Sequence, residues 1–512
     1  MMHTDAGSLA ATQEALAALD EPGAHPERPE LELVRFLCQA LLLNGVSYCH
    51  WKSNDALDRS ASGENDLDLL VDRAQAATFE QILSRLGFKE VRPPRRRQFP
   101  GVFHYYGVDG PTGRFVHVDA QYTLQLGDDT TKNVRLPMDR AYLASAQQRS
   151  LFAVPTPEME LAVYVVRLAL KHGTWDAALF GLAGLKENEV RELDHLGEAV
   201  DVDRLREVVE SHLPYVGWDV WSDYLEALLR GAPLRERLVK GRRLVSRLAG
   251  CTRRPPALDT LVRCTRRITW GFRHFVLGQR ATKSLVSGGS LVAVVGGDGA
   301  GKTTAVTSLG DWLGGPFEVR RLHLGKPPPS VLTIVGKSLL VVARLLGLVR
   351  WLPHYPTPSE HQYVFPGYPW LLWQVLTARD RRRLYRRARR LAARGSLVVC
   401  DRYPLKQITL MDGSRTGWVP VEGLPLLAAW LVRHEQRCYA EMAEPDVLLV
   451  LRVEPEIAVA RKQGVDPEGF VRPRSAEVYQ ADWNATHACV IDASRPSEEV
   501  VAQMRTAVWE WI

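Results

Sequence analysis

The run VVGGDGAGKTT, Val294 to Thr304, constrains the fold more than any other stretch of this chain. It follows the apolar segment LVAVV and leads into a segment of helical character, so strand, glycine turn and helix are joined without a break. Gly296-x-x-x-x-Gly301-Lys302-Thr303 satisfies the Walker A pattern in the setting that pattern requires. Gly296, Gly297, Gly299 and Gly301, with Asp298 and Ala300 between them, let successive backbone N–H groups turn inward around phosphate oxygens. The helix N-terminus, with Thr304 in its first turn, adds its positive dipole. Lys302 is expected to reach the β- and γ-phosphates of ATP, and the Thr303 hydroxyl to ligate Mg²⁺.

Beyond the loop, apolar runs alternate with helical patterns. SLVVCD (396–401) follows an arginine-rich helix at 378–394. PDVLLVLRV (445–453) precedes a helix from Pro455, and ACVIDAS (488–494) precedes a closing helix at 497–512. Continuous apolar strands separated by helices describe a parallel sheet buried on both faces.

Three motifs in order, GGDGAGKTT, TARDRRR and LVVCDRYP, resemble the thymidylate kinase family of P-loop kinases, over about residues 288–512. The resemblance implies a P-loop NTPase sheet and phosphoryl transfer from MgATP to dTMP or to a related phosphorylated or sugar acceptor. It places Asp401 near Mg²⁺, and Arg402 and Tyr403 at the acceptor. Arg381 becomes a second acceptor contact, in an alignment that could also fall on Arg382. Arg461 ends the run into a mobile lid, DPEGFVRPRS, which carries Arg472 and Arg474, and IDASRPSEEV matches the loop at the adenine edge. The loop interior holds no cation besides Lys302, so transition-state charge falls to Arg461, Arg472 and Arg474. Two departures leave the acceptor open: PLKQITLMDGSRTG after Tyr403, and the insertion beginning GKPPPSVLTIVGKSLLVV. A regulatory ATPase, or a bifunctional enzyme acting on a non-nucleotide acceptor near a membrane, are the competing readings.

In the first half, HWKSNDALDRSASGENDLDLLVD reads as two strands around a polar turn, with a helix at about 75–86 and a further strand at 113–124. Asp66 and Asp68 alternate on one strand face, and Asp119 offers a third carboxylate. This grammar resembles the nucleotidyltransferase superfamily, in which such acids hold paired Mg²⁺, although Trp51-Lys52-Ser53 stands where glycine and serine are expected. From Thr156-Pro157 the pattern turns helical to about Lys283. The expected organisation is a flexible tail (1–30), a nucleotidyltransferase-like α/β domain (31–150), a helical extension and linker (151–287) and the P-loop domain (288–512).

With 65 Lys and Arg against 59 Asp and Glu, the net charge of +6 suits nucleotides and other small anions without demanding nucleic acid. Arginines on helix 378–394 face nearly every side with no aromatic platform, so no nucleic-acid partner is expected. Seven scattered cysteines form no C-x-x-C pair and indicate neither a zinc site nor a disulfide framework. The N-terminus shows no secretory pattern, and a cytoplasmic location is expected. VLTIVGKSLLVVARLLGLVRWL (331–352) is greasy but broken by Lys337, Arg344 and Arg350. It reads foremost as a helix packed under the kinase core or over its substrate site; weak contact with a membrane surface is the alternative, and a homodimer is left open.

Overall fold

The computed structural model describes residues 29–276, 282–347, 365, 367–417 and 419–512. The expected tail lies almost wholly outside the described residues, as does the end of the 331–352 stretch. The chain divides into two compact units, one running to Val286 and the other from Ser287 to Ile512.

The first unit is built on a mixed sheet. Its strands are β1 (Tyr48–His50), β2 (Leu67–Val71), β3 (Lys89–Arg92), β4 (Val102–Val108) and β5 (Phe115–Gln121). Two short antiparallel pairs follow, β6 (Gln125–Leu126) with β7 (Val134–Arg135) and β8 (Gln147–Arg149) with β9 (Phe152–Val154). β10 (Ser284–Leu285) completes the large sheet in the order β1-β2-β5-β4-β3-β10. β2 and β5 are parallel, with Asp68 opposite Asp119, and the other neighbours are antiparallel. The helices Glu32–Leu43 and Ala76–Arg85 press Leu37, Leu41, Phe79 and Leu83 against Leu69, Val71 and Val118. The polar turn between β1 and β2 is itself helical: a 3₁₀ turn at Asn54–Ala56 and a short helix at Leu57–Ala61.

Behind the sheet stands a helical layer centred on the helix Pro157–His172, which starts at Thr156 with proline in its first turn. The Thr156 side chain makes no capping hydrogen bond, so proline geometry alone sets this start. Of its 16 residues, 12 are buried, the signature of a helix surrounded by others. Leu193, Leu205, Trp221 and Tyr224 from the later helices pack around it.

The second unit carries a wholly parallel sheet: β11 (Leu291–Gly296), β12 (Val319–His323), β13 (Leu397–Asp401), β14 (Val447–Arg452) and β15 (Ala488–Asp492), in the order β12-β13-β11-β14-β15. All six residues of the central β11 are buried. A parallel sheet needs a crossover between neighbours, and the helices Lys302–Gly314, Tyr368–Ala392, Leu426–Ala440 and Glu468–Gln480 supply them.

One half of an expectation, a helix packed under the core, is corrected here. The helix Val331–Leu345 is not packed beneath the core: only Thr333 is buried, and Leu339 is 64% exposed. It meets the helix Tyr368–Ala392 along a narrow line, where a Cβ at Gly336 would lie 2.8 Å from Leu376 and Lys337 sits 4.0 Å above the Trp373 ring. One small residue and one cation do not make a wide apolar seam. Among the described residues no helix is long and apolar enough to cross a membrane.

Candidate functional sites

In the second unit the strand ends gather polar groups around the glycine loop. At Gly297 a Cβ would lie 2.6 Å from Ser475 Oγ, so only glycine lets the helix Glu468–Gln480 sit on the loop. Gly299 has φ +88°, and its missing Cβ leaves room for the Ala458 carbonyl. Lys302 is buried and donates to the carbonyls of Gly296 (3.0 Å) and Gly297 (2.7 Å). Burial first, and the Arg402 charge second, pull its ammonium down to about 8. Thr303 and Thr304 are exposed in the first turn of the helix, and Ala300 is buried.

Asp298 organises the cations. Its carboxylate lies 3.2 Å from Arg402, 3.0 Å from Arg474 and 3.9 Å from Lys302. Burial would raise its pKa, but the Arg474 hydrogen bond and the Lys302 and Arg402 charges outweigh burial and hold it low. Ser475 Oγ donates to the Asp298 carbonyl at 3.0 Å. Arg402 takes φ +64°, a strained conformation for a side-chain-bearing residue, and its N–H bonds Val294 at 3.1 Å. That kink turns the arginine from the end of β13 over the loop. Beside it, Asp401 Oδ1 is buried with no hydrogen-bond partner. An orphaned carboxylate oxygen whose charge acts on Lys302 suits a hydrated Mg²⁺ that arrives with a phosphate and draws only one or two ligands from protein.

The arginines expected to act together have separate employments. Arg381 donates to the carbonyls of Leu324 (2.8 Å), Asp412 (2.7 Å) and Gly325 (3.1 Å) and to the Tyr439 hydroxyl (2.6 Å). Arg381, expected at the acceptor, is in this structure a buried clamp on two loops and a helix. Tyr403 is likewise a core residue, its hydroxyl donating to Ala443 O at 2.5 Å. Arg382, the alternative to Arg381, pairs with exposed Glu441. Arg461 bonds the Ala493 carbonyl at 2.9 Å, and Arg472 pairs with Glu456 and Glu468 away from the loop. Of the three lid arginines only Arg474 stands on the glycine loop, and the stretch expected as a lid begins the helix Glu468–Gln480. Two residues without a motif join the site. Asp412 lies 3.7 Å from both Arg381 and Arg402, and the Nδ1 of His323, at the end of β12, is buried without a partner.

In the first unit Asp68 and Asp119 stand opposite each other on neighbouring strands, but each of the three acids has its own neighbour, and among the described residues no three His, Cys, Asp or Glu gather to hold a metal ion. Asp66 precedes β2 and is held by His117 at 2.7 Å, which lowers its pKa against the effect of burial. Asp68 lies 2.9 Å from the Lys52 ammonium, an ion pair without hydrogen-bond alignment. Asp119 faces His104 at 4.0 Å, and the Lys132 and Lys52 charges hold it low although burial opposes them. A lysine thus fills the place that a divalent ion would need. Ser53, with φ +59°, turns its N–H to Glu192 at 3.0 Å, and Glu192 also holds Arg167 at 3.2 Å.

No family model matches the chain. Among curated proteins it is similar to the uncharacterized ATP-binding protein YghR of Escherichia coli, from strain K12 and from strain O6:H1. Each is 29% identical over 228 residues, 43% of this chain and 86% of the relative.

Proposed function

We propose that the unit Ser287–Ile512 binds MgATP and transfers its terminal phosphoryl group to a small acceptor, in the manner of the thymidylate kinases it resembles. The observation that carries this is the glycine loop between buried β11 and the helix Lys302–Gly314, with Asp298, Arg402 and Arg474 gathered over it. The name of the E. coli relatives agrees with the nucleotide half of this reading.

Phosphoryl transfer needs positioning and charge stabilisation more than covalent chemistry. Loop amides and Lys302, once it exchanges its carbonyl partners for phosphate oxygens, hold the donor. Asp401 and Thr303 would hold Mg²⁺, whose charge spreads over the donor phosphates. Asp298 keeps Arg402 and Arg474 beside the loop until a phosphate competes for them. With Arg381 committed to backbone carbonyls, the acceptor anion falls to Arg402. Asp412 and His323 lie on the same side and suit an acceptor that presents a hydroxyl.

Incubation with γ-labelled ATP and a panel of dTMP, other nucleoside monophosphates and sugars tests this. Label is expected on one acceptor at a rate well above release to water. ATP hydrolysis with every acceptor left unlabelled would make the protein an ATPase instead.

A further inference from the structure

The first unit contains a cleft that the thymidylate kinase resemblance does not use. It encloses about 160 Å³ beneath Trp51, Ser53 and Gln125, and its charged walls are Lys52, Lys132, Arg167 and Lys171 against Asp68 and Asp129. From this we infer that the first unit binds the phosphate group of a small phosphorylated molecule without a metal ion, with Lys52 standing where a metal would sit and Lys132 as the cation left for the ligand.

The four cations are not equivalent. Arg167 is tied to Glu192 at 3.2 Å and Lys171 to Glu189 at 2.8 Å, both acids from the helix Glu187–Ala199. Lys52 is tied to Asp68 at 2.9 Å. Among the described residues, Lys132 has no carboxylate oxygen within 4.0 Å of its ammonium, which rests 5.7 Å from the centre of the Phe99 ring. Its backbone is held at φ +39°, in the tight connection between β6 and β7. A partly buried cation with no carboxylate in contact, held by a strained backbone over a cavity, can take an anion as its direct partner. The residues lining the cleft itself carry four cations against Asp68 and Asp129.

Metal binding would require Lys52 to leave Asp68 and three carboxylates to converge. Asp66 is instead turned to His117, whose Nε2 in turn lies 3.0 Å from Lys283. Asp68 is thus held by Lys52 and Asp66 by His117, which leaves Asp119, 4.0 Å from His104, as the one of the three acids without a close partner. The volume also decides what enters: ligand pockets usually begin near ~300 Å³. This cleft takes the anionic head of a ligand and leaves the remainder outside.

The test uses the full chain carrying Lys302→Ala, so that the glycine loop contributes equally little to every sample. Inorganic phosphate, then ribose 5-phosphate, is titrated by calorimetry in EDTA and again with excess Mg²⁺. Saturable binding in EDTA is expected, unchanged by Mg²⁺ and weakened at least tenfold by Lys132→Met. Lys171→Met, at the rim, is expected to weaken it by a smaller factor, and it reads the same site should Lys132→Met fail to fold. Binding that appears only with Mg²⁺ would overturn the proposal. So would the absence of saturable binding, or full affinity in both folded variants.

Discussion

At the scale of single residues, two buried ionisable groups are shifted in opposite directions toward the same pH, about 8. Lys302 falls to about 8 because it is buried beside Arg402. Binding an anion requires its charged form, so nucleotide affinity is expected to fall as pH rises from 7.5 to 9.5. The slope should approach tenfold per pH unit above the titration point. In Lys302→Ala the affinity should already be lost, by roughly 10²-fold or more, and the slope should be absent; fluorescent ATP titrations at several pH values measure both. Glu160, on the helix Pro157–His172, is pushed up to about 8 by burial, and its Oε1 has no partner. Between the ordinary carboxyl value of 4.5 and about 8 the folded state holds a proton that the unfolded state has lost. Stability is therefore lost as pH rises through that window. Glu160→Gln removes the titration, so the variant should gain on the wild type steadily from pH 5 to pH 8 in urea unfolding. A constant difference across that range would show that Glu160 keeps its ordinary pKa.

At the scale of elements, stability follows burial and not hydrophobicity as such. Leu161 is 1% exposed in the helix at the centre of the first unit, whereas Leu339 is 64% exposed on the helix Val331–Leu345. Leu161→Ala is expected to cost ~2–5 kcal/mol, while Leu339→Ser should stay within about 0.5 kcal/mol of the wild type; denaturant melts compare the two directly. The same contrast explains what could be read from sequence. β11, β13 and β14 show as continuous apolar runs because both faces of each are covered or nearly so, whereas β15 shows as one although only Ile491 in it is buried. β12 shows no such run because it is an edge strand whose Arg320 and Arg321 are exposed. A greasy run such as 331–345 says that a helix forms, but not whether anything covers it. The site divides likewise. Loop spacing located Lys302 and Asp298, since backbone geometry dictates those residue types. Spacing could not tell that Arg381 turns to Leu324, Gly325 and Asp412 while Arg402 turns to Asp298, because orientation depends on partners brought by distant strands. Asp412, His323 and Lys132 belong to no motif and became visible only through what stands beside them.

At the scale of the whole molecule, two compact units with separate cores should answer to separate ligands. The cores around Trp221 and Leu69 belong to the unit ending at Val286; those around Val295 and Val432 belong to Ser287–Ile512. A ligand that binds only a folded unit stabilises it by mass action, ~2.7 kcal/mol at a hundred times its dissociation constant. Calorimetry of the full chain is therefore expected to resolve two transitions, with MgATP raising one of them by several degrees and leaving the other in place. Lys302→Ala should abolish that shift while preserving both transitions without ligand. Phosphate in EDTA should raise the transition that MgATP leaves unmoved, and Lys132→Met should remove that second shift alone. If Lys302→Ala instead weakened the response to both ligands, the loop and the cleft would be one coupled site, and the division of labour between the units would have to be abandoned.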